Sequence, residues 1–196
     1  ERECVEESVA LAEAKGYRSI EEYRKAGTAL KPGDKVYTVR MNKIIALYHI
    51  GEEPLEKGMN ILGAHIDSPR LDVKQNPLYE NGDLAYLDTH YYGGVKKYQW
   101  VAIPLAIHGV VAKKDGSVMK VVIGEDESDP IVYVSDLLIH LSHQQLKKPG
   151  EEMIEGENLD VLIGSRPLTN ETDREAKEIV KANILRLLEE KYGMGE

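Results

Sequence analysis

The sequence predicts an α/β segment, residues 1–75, followed by a mostly β segment with a few helices, residues 76–196. Three observations predict it. Two helix-like runs open the chain and lead into a hairpin of β-branched and aromatic runs. From residue 70 onward, short β-branched runs dominate, cut by turn signals at Asn81-Gly82-Asp83 and Lys114-Asp115-Gly116. One amphipathic pattern closes the chain. A period of two marks strands and a 3.6-residue stripe marks helices, because the side chains of an element must share a buried face.

Residues 2–15 place Val5, Val9 and Ala12 on one helical face, with Gly16 as the stop. Ser19-Ile20-Glu21-Glu22 has the form of a capping box and predicts a short helix to Gly27. Lys31-Pro32-Gly33-Asp34 reads as a turn. Residues 35–40 and 44–49 are β-branched and aromatic, which predicts a hairpin through Met41-Asn42-Lys43. MNILGAH, residues 59–65, reads as a strand buried on both faces, since ILGA is apolar and small. Pro69 cannot donate to a ladder and should break that strand. Further strands are predicted at 70–74, 84–91, 99–112, 117–123 and 159–163. Between them, SDLLIHLSHQQL (135–146) spaces Leu137, Leu138 and Leu141 for one helical face. Finally, Thr172-Asp173-Arg174-Glu175 fits a capping box. Ala176, Ile179, Val180, Ile184, Leu187 and Leu188 make an apolar stripe, and Gly193 is a C-terminal stop.

Charge narrows the function. With 25 basic and 34 acidic side chains the net charge is −9, and basic residues cluster no further than doublets. Such a chain has no electrostatic reason to bind nucleic acid or an anionic membrane. No apolar run approaches the ~20 residues that span a bilayer, and no signal-peptide pattern opens the sequence. Cys4 stands alone, which excludes an internal disulfide and points to a reducing, cytoplasmic setting. The first residue is Glu1, already inside a helical pattern, and the last lies just past a helix stop. Part of a longer chain is therefore expected.

The chemistry centres on GAHIDSP, residues 63–69. A His and an Asp two apart on a strand point to one face and can hydrogen-bond to each other. Many such pairs only end a strand. At the carboxyl edge of a buried α/β strand, however, functional groups collect. There His65 suits a zinc ligand, and Asp67 suits the carboxylate that fixes its tautomer and ring direction. Catalytic zinc needs about three protein ligands. Asp72, Asp83, Asp88 and Glu125-Asp126-Glu127 are available, but none has a spacing that demands coordination; the last group reads as a solvated turn.

LGAHIDSPRLDVKQNPLYENG, followed by THYYGG and AIPLAIHGVV, resembles the M18 metalloaminopeptidases, the aspartyl aminopeptidase and aminopeptidase I group, in their bacterial form. The resemblance implies a zinc-peptidase-like α/β catalytic domain with two zinc ions. It also implies a mostly β dimerisation domain inserted just after the His-x-Asp strand. It makes His65 a metal ligand and Asp67 its orienting carboxylate. Ile139-His140-Leu141 matches a stretch whose histidine reaches a neighbouring subunit's active site, so His140 is carried over as catalytic. Peptide substrates and a homo-oligomer, up to a dodecamer, follow from the same resemblance. The family's bridging aspartate, catalytic glutamate, further acidic ligands and last histidine have no counterpart here. Glu189-Glu190 lies opposite the apolar stripe and reads as a surface pair.

The other histidines read as ordinary. His49 ends a strand, His108 sits in an apolar run as an interior or interface residue, and His90 precedes the YYGG loop. His143 would share a helical face with His140. Ser68 and Ser165 lack the G-x-S-x-G elbow of a serine hydrolase. Asn170-Glu171-Thr172 matches a glycosylation acceptor that has meaning only in a secreted protein. The rival to an aminopeptidase is a non-catalytic assembly or regulatory subunit on the same fold.

Overall fold

A computed structural model describes residues 1–169 and 177–193. It contains two compact units, Glu1–Ser68 and Pro69–Glu196.

The first unit opens with α1 (Arg2–Ala14), which buries Val5 and Ala12 as the spacing requires. Tyr17 N–H closes its last turn on the Ala12 carbonyl. The two-residue β1 (Arg18–Ser19) runs parallel to β2 (Lys35–Arg40), which pairs antiparallel with β3 (Ile44–His49) from Lys35↔His49 to Arg40↔Ile44. Val36 is the sealed centre of this sheet. Helix α2 (Ile20–Ala26) starts where Ser19 Oγ accepts from Glu21 N–H at 3.3 Å, and it ends on Gly27 in the left-handed region. Glycine takes that conformation without the Cβ clash other residues suffer. Tyr37 OH donates to Glu13 Oε1 at 2.6 Å, which ties β2 to α1 and pushes the phenol up to about 12.

The predicted strand at 59–65 does not form. Residues 58–69 join no ladder, and Leu62 is 98% exposed. A strand buried on both faces needs neighbours on both edges and cover above and below. Among the described residues nothing supplies either, and an apolar run without partners gains nothing from extension into a ladder.

The second unit is built on an antiparallel hairpin, β4 (Arg70–Asn81) and β5 (Leu84–Tyr92), closed by Gly82 and Asp83, both with φ near +60°. Two positive φ values give the twist that a two-residue hairpin loop requires. Strand β4 extends well beyond the predicted 74 because a bulge between Val73 and Leu78, with Asn76 at φ 50°, carries the chain past Pro77. The run 99–112 yields a hairpin strand only at its end. Here β6 (Ile107–Ala112) pairs with β7 (Val118–Ile123) around the Asp115 turn. Upstream, Ala102 at φ 58° and Pro104 interrupt the ladder and leave single bridges, Val101↔Val134 and Leu105↔Val132.

Strand β8 (Tyr133–Val134) was not expected. It pairs with β9 (Val161–Gly164), giving the sheet order β4-β5-β9-β8. Val132, Val134, Ile154, Leu159 and Val161 form its core. At 135–146 there is no α-helix, only isolated turns such as Leu141 N–H to Leu138 O, with a 3₁₀ turn at Gln145–Lys147. Leu137, Leu138, Ile139 and Leu141 are all exposed. A short helix depends on burying its apolar stripe, and this stripe has no cover.

Helix α3 (Ile179–Tyr192) lies against β4, β5 and β9 and ends on left-handed Gly193, with Glu189 and Glu190 at the surface. The capping box at 172–175, Ala176 and the 170–172 acceptor lie outside the described residues. The observed start is capped from elsewhere: Glu80 Oε2 accepts Val180 N–H and Lys181 N–H, each at 2.8 Å.

Candidate functional site

His65 and Asp67 sit in the exposed stretch after the 3₁₀ turn Leu55–Lys57. His65 Nδ1 lies 3.3 Å from Asp67 Oδ1 and 3.1 Å from the Asp67 carbonyl oxygen. With two acceptors facing it, Nδ1 is assigned the proton, which leaves the Nε2 lone pair as a donor to a metal. This is the pairing that orients an imidazole ligand and raises its basicity. The ring is 85% exposed. No group of three or more His, Cys, Asp or Glu among the described residues could hold a metal ion. These residues therefore fit one donor and its supporting carboxylate. They do not fit a whole zinc shell.

Asp72 and Asp88 are committed elsewhere, and Asp83 takes a turn position at φ 60°. Asp72 takes Arg70 bidentately, Nε to Oδ1 at 2.6 Å and Nη2 to Oδ2 at 3.3 Å, while the guanidinium stacks 4.1 Å over the Tyr92 ring. Asp88 and Glu157 share the Lys74 ammonium at 2.9 and 2.8 Å. Those two hydrogen bonds, Glu157's the stronger influence, hold Lys74 above its ordinary range. The Lys74 hydrogen bond holds Glu157 below its own. His90 Nδ1 also meets Glu157, at 3.3 Å, and its ring stacks on Tyr91.

The acidic turn is solvated, as read. Asp126 Oδ1 accepts from Ser128 N–H and Oγ–H, and Asp129 accepts from Gly124 N–H. Lys191 Nζ reaches Asp129 at 2.9 Å, and this contact leads the causes holding that carboxyl below the usual range.

Of the two readings of His108, interior or interface, the interior one does not hold: the residue is exposed on β6, with Nε2 3.0 Å from Glu125 Oε1. His140 and His143 are exposed and share no helical face, since the helix is absent. His49 is exposed at the end of β3.

Sequence reasoning missed Asp160, which organises the sheet centre. Its carboxylate accepts Tyr79 OH at 2.6 Å and Thr89 N–H at 3.2 Å, while buried Thr89 Oγ1 donates to the Leu159 carbonyl at 2.6 Å. Burial first, then this hydrogen bond, push the Tyr79 phenol upward. The available signal was a lone Asp next to Leu159 at a strand entrance.

A carboxylate-oriented imidazole with its other nitrogen left to donate is a ligand arrangement that metal-using hydrolases employ. Residues 1–196 match the family described as "Aminopeptidase I zinc metalloprotease (M18)", and the chain belongs to that family. It is 57% identical over 196 residues to a probable M18 family aminopeptidase 1 of Clostridium acetobutylicum, covering 100% of this chain and 42% of that protein. A crystal structure of an M18 aminopeptidase from Thermotoga maritima matches with TM-score 0.86 at 40% identity, over 99% of this chain and 41% of that one. Aminopeptidase I from Clostridium acetobutylicum matches with TM-score 0.85 at 53% identity, over 98% and 42%. The chain thus spans about 42% of the curated relative's length, and its mixed α/β fold is that of these aminopeptidases.

Proposed function

We propose that this chain serves a zinc-dependent aminopeptidase that hydrolyses N-terminal peptide bonds, with two zinc ions per full-length subunit. The observation that carries the reading is the His65–Asp67 pair, with Nδ1 facing the carboxylate, inside a chain matched end to end by the M18 family. His65 supplies one imidazole donor through Nε2. Asp67 accepts the Nδ1 proton, fixes the tautomer and keeps the ring direction. Zinc, when bound, supplies Lewis acidity for water activation.

On this reading residues 1–75 are a portion of the catalytic domain, and 76–196 are an inserted, mostly β dimerisation domain. His140, on an exposed loop with Leu138, Ile139 and Leu141, serves a neighbouring subunit's site. A homo-oligomer, up to a dodecamer, acts on peptides in the cytoplasm, with no role for nucleic acid or membrane. Among the described residues no helix is long and apolar enough to cross a membrane.

The 196-residue chain alone is then inactive, since a single imidazole does not hold catalytic zinc. A second reading, a non-catalytic assembly subunit, is favoured by the absence of a three-donor cluster among the described residues. Zinc content and aminopeptidase activity of the full-length protein and its His65→Ala variant separate them. The aminopeptidase reading expects stoichiometric zinc and turnover in the parent and loss of both in the variant. Asp67→Asn should weaken zinc binding by roughly 10–100-fold. Unchanged turnover in His65→Ala would remove His65 from the site, and a full-length parent with neither zinc nor activity would favour the assembly subunit.

A further inference from the structure

We draw no further inference here: the strongest candidate, the exposed apolar patch of Leu137, Leu138, Ile139 and Leu141 on the loop after β8, belongs to the assembly surface already proposed, and nothing in the structure shows what else covers it.

Discussion

Replacing Glu80 tests how α3 is held. Its Oε2 accepts two N–H groups of the first helical turn, Val180 and Lys181, each at 2.8 Å. Those donors have no intrahelical partner, and the helix N-terminus carries partial positive charge. Removing a capping side chain costs about 0.5–2 kcal/mol. Here one carboxylate serves two donors at a part-buried site, so Glu80→Ala should reach the top of that range, about 2 kcal/mol. Glu80→Gln keeps an oxygen acceptor but loses the charge, and should cost about half as much, near the ~1 kcal/mol of a charge at a helix end. Urea unfolding followed by far-UV circular dichroism, with m unchanged, reads both numbers. At roughly 4 °C per kcal/mol the Ala variant also melts about 8 °C lower. A loss below about 0.5 kcal/mol for Ala, or equal losses for Ala and Gln, would refute the two-donor cap.

Three further outcomes are expected. Thr89→Val keeps shape but strips the hydroxyl from the Leu159 carbonyl, so denaturation should show a loss of about 1–3 kcal/mol; a neutral result would mean that the carbonyl finds another donor. Gly156→Ala would drive a Cβ into the Tyr91 ring, so the ring must move, and a loss of about 1–3 kcal/mol with altered tyrosine near-UV signal is expected. Asp129 has a folded-state pKa below its ordinary value, so its stabilisation is complete above about pH 4 and disappears as pH falls through the folded value. Asp129→Asn should therefore flatten the stability curve below about pH 4, and parallel acid limbs in parent and variant would count against the Lys191 contact.

Local signals carried much of the architecture. Ser19 and Gly27 bound α2 because capping and left-handed closure are decided by a few neighbouring residues. The hairpin of β2 and β3 follows from two β-branched and aromatic runs around a short loop, and Gly82-Asp83 and Asp115-Gly116 turn the chain where their backbone preferences dictate. The His65–Asp67 contact was legible although the strand expected to align the two groups does not form: their closeness in sequence suffices to bring them to 3.3 Å.

Tertiary structure decided whatever depends on a distant partner. Residues 59–65 and 135–146 have apolar patterns suited to a strand and a helix, but a pattern becomes an element only where something covers its apolar face. Tyr133-Val134 shows the converse: two residues too short to signal a strand become one because β9 offers a ladder and Leu159 a core. Glu80 caps a helix a hundred residues away, and Asp160 joins Tyr79 to Thr89. Sequence by itself determined what each segment can form, through local sterics and hydrogen bonding. The fold determined which of those options were realised, because burial and long-range polar pairing need a partner that only the folded chain brings near.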